Sequence, residues 1–196
     1  AINAETSAYT YDSTAGGNQG IGRRTGMTDA SGSAAWVYDL RGRVMTETKT
    51  IAGATYTTSY PQYDSADRVI KMQYPDAGGE IVRYQYDAQG LTDWVKGYDG
   101  TIWLLRQSQY NALGQPITLS FGISDTPTVT SVYAYDSSTF RLSTLKTGSA
   151  APNYDQLQDM AYTYDDAGNV TQIQDSRPSL GTQTRTFGYD PLNRIT

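Results

Sequence analysis

Three groups of side chains in this sequence have the chemistry to act on something. Asp165, Asp166 and Asn169 gather oxygen donors around Gly168, as a calcium loop does, and Asp64 with Asp67 offers a sparser version. Calcium takes about six to eight oxygens, more than either stretch supplies. These carboxylates are therefore read as turn caps, and no metal site is assigned. Trp94, Tyr98 and Trp103 stand in one stretch and are candidates for stacking against sugar rings, the competing reading being rings that fill the layer between strands. Nucleophilic chemistry has the least to work with. The chain has 0 His and 0 Cys, so the usual general base, the thiolate nucleophile and the commonest zinc ligands are all missing. Lys49, Lys71, Lys96 and Lys146 lack any surrounding pattern of a buried site, and nearly every Asp is accounted for by a turn. The reading is of no enzyme, with no catalytic residue and no cofactor.

A net charge of −5 and a pI near 4.6 argue against a nucleic-acid partner, which needs clustered Lys and Arg to neutralise phosphates. No apolar run approaches the length of a membrane span, and residues 1–5 lack the basic and apolar regions of a signal peptide. The chain starts at Ala1 and stops at Thr196 inside a recurring motif, so the expectation is a fragment of a longer polypeptide.

The elements that would carry these side chains are strands. Hydrophobic residues are 38% of the chain and charged residues 18%, and the apolar share leans on 17 Tyr, accompanied by 19 Gly. Aromatic and β-branched residues fit a pleated, half-buried surface, and Gly serves tight turns. The composition reads as all-β.

Self-similarity sets the organisation. An aromatic, one residue, a tyrosine, usually an aspartate, two residues, a turn residue, then a polar and an apolar residue recur along the chain, best seen in Trp36–Val44 and Tyr162–Val170. The anchor tyrosines Tyr38, Tyr63, Tyr86, Tyr110, Tyr135, Tyr164 and Tyr189 are separated by 25, 23, 24, 25, 29 and 25 residues, and Tyr11 opens a degenerate first copy. A unit this short cannot bury its own apolar face and must stack on its neighbours. Residues 1–196 are read as one continuous array.

Each position has a physical reading. Paired aromatics such as Trp36/Tyr38, Tyr133/Tyr135 and Tyr162/Tyr164 are two apart and share a strand face; if neighbouring repeats pair in register, they form aromatic ladders. Asp39, Asp64, Asp87 and Asp165 suit the first position of a turn, where the carboxylate accepts an amide two residues on. Three residues later stand Gly42, Asp67, Gly90, Gly114, Gly168 and Asn193, types that tolerate positive φ. The copy at Asp136 carries one inserted residue and no Gly before Arg141, which predicts a wider loop there. After the turn, apolar residues three apart (Val69/Met72, Leu142/Leu145, Val170/Ile173) break strict alternation and predict a bulge in the returning strand.

On these residues, Tyr38-Asp39-x-x-Gly42-Arg43-Val44, Tyr86-Asp87-x-x-Gly90, Tyr164-Asp165-x-x-Gly168-Asn169-Val170 and Tyr189-Asp190-x-x-Asn193-Arg194-Ile195, the chain resembles the YD repeats of the Rhs family from about residue 9 to its end. The resemblance implies a long antiparallel sheet wound spirally into a hollow shell. Bacterial Rhs proteins, the C components of insecticidal toxin complexes, wall-associated proteins and teneurins are its members. In the bacterial toxins such a shell encloses an effector, and its closing segment carries an aspartate-dependent self-cleavage site that has no counterpart here. Asp190-Pro191 occupies ordinary repeat positions. The expected partners are the rest of the chain's own polypeptide and an enclosed effector, in a secreted or cell-surface setting. The rival reading is an adhesion or filament-forming module that binds glycans, or other copies of itself by edge-strand pairing.

Overall fold

Strands form wherever the aromatic and β-branched runs fall, and the polar Gly- and Asp-containing pentapeptides between them close hairpins. The computed structural model describes residues 6–76, 78–123, 126–149 and 151–196. The first five residues, read above for a leader, lie outside this set. The described residues contain sixteen strands, two short 3-10 turns and no α-helix.

The chain divides into two units, Ala1–Tyr84 with Lys96–Thr101, and Gln85–Val95 with Ile102–Thr196. The first sheet runs in sequence order: β1 (Ala8–Tyr11), β2 (Arg24–Asp29), β3 (Gly32–Tyr38), β4 (Val44–Ile51), β5 (Ala54–Tyr63), β6 (Val69–Gln73), β7 (Ile81–Tyr86), β8 (Thr92–Gly97) and β9 (Ile102–Leu105). The second does likewise: β10 (Gln107–Tyr110), β11 (Pro116–Phe121), β12 (Val129–Tyr135), β13 (Leu142–Gly148), β14 (Gln158–Tyr164), β15 (Val170–Asp175) and β16 (Gln183–Thr186). The strand pairs with a given register are antiparallel, and each strand neighbours the next in sequence. These are β-meanders with no crossover.

The returning strands bulge at a fixed place. Val37 faces Thr46 while Tyr38 faces Val44, so Met45 is the extra residue. The same step leaves Ile117 extra after Tyr110, Ser143 after Tyr135 and Thr171 after Tyr164. The bulge explains the spacing of three: with Thr171 inserted, Val170 faces Tyr164 and Ile173 faces Tyr162, both on the tyrosine face.

Little is buried. Among the described residues the buried apolar side chains are Ala34 and Val82, against eight buried polar ones, and none of the large side chains is fully buried. Ala34, Val82 and Ser131 each lie four residues before an anchor tyrosine. Ladder hydrogen bonds and side-chain lacing, more than a packed core, hold these sheets.

Candidate functional site

The repeated turn is the most elaborately bonded feature of the chain. At Asp39–Arg43 the amide of Asp39 donates to the Arg43 carbonyl and the amide of Gly42 to the Asp39 carbonyl, both at 2.9 Å. Asp39 Oδ1 accepts from the amides of Arg41 and Arg43, and Oδ2 from Arg43 Nε at 2.6 Å. The same double acceptance recurs at Asp64, Asp87, Asn111 and Asp190. Gly42, Asp67, Gly90, Gly114, Gly168 and Asn193 all have φ between 59° and 95°. The wider loop after Tyr135 keeps the plan with one residue more: Phe140 takes the left-handed slot at φ 56° and donates its amide to the Asp136 carbonyl at 2.9 Å.

These bonds hold the turn acids in the ionised form. The Arg68 amide, then the Arg68 guanidinium, keep the Asp64 carboxyl below the usual carboxylate range. Asn169 does so for Asp165, and the Arg194 guanidinium for Asp190. At Asp39 burial pushes upward, but the Arg43 and Arg41 amides and the Arg43 guanidinium outweigh it. Asp165 spends both carboxylate oxygens on Asn169, one on its amide and one on its side chain, which leaves the loop considered for calcium committed to its own turn.

What the sequence did not reveal is how one turn is tied to the next. In the first unit Arg43 Nη1 and Arg41 Nη2 both reach Asp67, 24 and 26 residues away, at 2.9 Å. In the second, Gln115 donates to the Phe140 carbonyl, Arg141 to the Asp165 carbonyl and Asn169 to Asn193 Oδ1, across 25, 24 and 24 residues. At these four steps the residue just after the left-handed position therefore laces its turn to the successor, one period on. The same arm presses on the next glycine: a Cβ at Gly168 would sit 2.8 Å from Arg141 Nη2, and one at Gly42 would overlap the Arg23 guanidinium.

The anchor tyrosines work by a second device. The hydroxyls of Tyr38, Tyr63, Tyr110, Tyr135, Tyr164 and Tyr189 donate to the carbonyls of Arg24, Val44, Thr92, Pro116, Leu142 and Val170, at 2.5–2.9 Å. Each ring thus spans from its own hairpin to the start of the preceding returning strand. Burial raises the phenol pKa at Tyr63, Tyr135 and Tyr164. The expected ring-on-ring ladder is replaced by a mixed column. Across the hairpin, Tyr38, Tyr135 and Tyr164 face Val44, Leu142 and Val170. Arg23, Arg43 and Arg141 lie over Tyr38, Tyr63 and Tyr164, with centroid distances of 5.7, 4.6 and 5.6 Å. The physical reason is the period: two strands per repeat put successive anchors about 10 Å apart, beyond ring contact.

Tyr86 ends β7 directly before the Asp87 turn. Tyr11 ends β1 and is exposed, and its turn is long: Asp12 at φ 62° pairs with Arg23, and the loop carries the buried Asn18. The Asn18 side chain donates to the Trp36 carbonyl and accepts from the Tyr38 amide, acting as a short strand along the end of β3. Trp94 and Trp103 meet edge to face at 5.8 Å and 80° in the second unit, with Arg106 5.6 Å from the Trp103 centroid. Tyr98 belongs to the first unit, 62% exposed in a left-handed turn with Asp99, whose carboxylate binds Arg83 and Lys71.

No family model matches the chain. It is 33% identical over 152 residues to toxin subunit YenC1 of Yersinia entomophaga, a match covering 70% of this chain and 15% of that subunit. Among solved structures, TcdB2-TccC3 aligns over 97% of this chain and 10% of its own, with 20% identity and a TM-score of 0.82. The Photorhabdus luminescens Tc holotoxin pore gives the same values. At that identity the likeness is one of fold, and the chain spans 15% of YenC1 and 10% of each of these two structures' chains.

Proposed function

We propose that this chain is a stretch of wall from a YD-repeat shell of the toxin-complex kind, a secreted or surface-exposed protein that encloses or displays an effector encoded outside these residues. The role is mechanical, with no catalytic step. The observation that carries the reading is the lacing: four turns are tied by side chains to the turn one period on, and six anchor hydroxyls bond to the preceding repeat, so the sheets are extended by adding repeats and draw little from a central core. The 97% alignment to TcdB2-TccC3 supports the same reading, as does the 33% identity to a toxin subunit. The edge-to-face contact of Trp94 with Trp103, and Arg106 over Trp103, are contacts that rings in a wall would make.

The test is protease protection in the full-length parent polypeptide. A polypeptide held by the shell should survive in buffer and be digested once denaturant opens the wall. Digestion at the same rate in both conditions would overturn the proposal.

A further inference from the structure

The two faces of the sheets differ in charge. On β3, β4 and β5 the register sets Ser33 opposite Thr50, Thr50 opposite Thr55, and Thr48 opposite Thr57. Thr48 and Thr57 Oγ1 lie 3.1 Å apart and Thr50 and Thr55 Oγ1 3.4 Å, so these hydroxyls share one face. Followed by strand alternation over β1 to β5, that face carries Thr, Ser, Ala, Gly, Val and Gln among the described residues and no charged side chain. The other face of the same strands carries the anchor tyrosines, Trp36 bonded to Glu47, and Lys49 opposite Tyr56 and 3.3 Å from Glu47.

Outside β1 to β5 that face does carry charged side chains, and those on β6, β7, β13 and β14 are neutralised in ion pairs. On β6 and β7 the hydroxyl face carries Lys71 and Arg83, and both are bound to Asp99, at 3.4 and 2.8 Å. In the second unit the charges on that face of β13 and β14 are Lys146 and Asp159, opposite each other and paired at 3.2 Å.

A wall that holds a polypeptide and later releases it must not bind it. Fixed charges attract opposite charges on the contents, and exposed aromatic rings capture apolar side chains. Small hydroxyls offer neither, because a bond to them only replaces one to water. We infer that the hydroxyl face is the one turned towards the shell's contents, an enclosed polypeptide kept in place without adhesion, and that the tyrosine face is turned outward. The inference rests on the shell reading.

These residues have no cysteine, so a thiol introduced among them is read against the labelling of the unsubstituted parent. The full-length parent would be made with Thr57→Cys or Thr48→Cys on the hydroxyl face, and with Tyr56→Cys or Lys49→Cys on the tyrosine face. Each would be treated with a maleimide carrying a polyethylene glycol chain too large to cross the wall, and compared with the unsubstituted parent. Two positions per face guard against a variant that fails to fold, and denaturant exposes all four thiols as a reactivity control. The expected result is loss of labelling at Thr57→Cys and Thr48→Cys in the native protein, with full labelling at the other two. The reverse pattern overturns the facing while leaving the shell intact. Labelling of all four overturns the shell reading and the facing with it.

Discussion

Gly42 and Gly53 form a matched pair that isolates the contribution of lacing. Both are left-handed, at φ 82° and 83°. A Cβ at Gly53 meets nothing within 4 Å, whereas one at Gly42 falls on the Arg23 guanidinium. Alanine at either site costs about 1–2 kcal/mol in backbone strain. At Gly42 it also displaces Arg23 from Tyr38, 5.7 Å below it, and from the Ile21 carbonyl at 3.0 Å. An exposed cation–π contact contributes about 0.5–1 kcal/mol and a hydrogen bond about 0.5–1.5 kcal/mol. Gly42→Ala should therefore be more destabilising than Gly53→Ala by about 1–2.5 kcal/mol, or several degrees in Tm at roughly 2–4 °C per kcal/mol for a chain of this size. Urea unfolding of both variants measures the difference, and repeating it with Arg23→Ala in the background should abolish it. Equal losses at the two glycines, or an excess that persists without Arg23, would refute the account of lacing.

Tyr135→Phe removes a hydroxyl that donates to the Pro116 carbonyl at 2.9 Å; unfolding should show a loss of about 1 kcal/mol, and no loss would mean the phenol bond is incidental. Phe140→Gly places the preferred residue in a left-handed slot that Phe occupies at φ 56° with 52% exposure; thermal unfolding should show a net gain of about 0.5–1 kcal/mol once Gly entropy offsets part of the relieved strain. Acid should weaken the fold in a defined window. The turn carboxylates of Asp64, Asp165 and Asp190 have folded pKa values below the ordinary 3.8, so their stabilisation is full above that value and lost as pH falls through the lower folded values. With 0 His, unfolding midpoints should stay flat from pH 5 to 8 and drop below about pH 4.

Local features of the repeat were legible because they depend on near neighbours. The Asp-to-amide turn and the left-handed residue are written within nine residues, as in Trp36–Val44, and the spacing of three that marks the bulge follows directly after the turn, as in Val170/Ile173. Features that join one copy to the next were not. Arg43 to Asp67 looks in sequence like two unrelated surface charges, and only the antiparallel meander brings residues 24 apart to 2.9 Å. The aromatic ladder depended on neighbouring repeats meeting ring to ring, whereas the returning strand between them, as β4 between β3 and β5, sets successive anchors about 10 Å apart. Tyr98-Asp99 has the wording of a repeat but falls outside the period, and its turn is held by Arg83 and Lys71 instead. Asn18 shows a third limit, since a polar residue in a Gly-rich loop gives no sign that its side chain will complete the edge of β3.

The most direct test of the central claim is an electron cryomicroscopy structure of the full-length parent. The account predicts that the outer edges of β1 and β16 are each paired with a strand of the same polypeptide, within a continuous wall around an interior. Pairing of those edges with strands of another copy, in a filament or an open assembly, would contradict it.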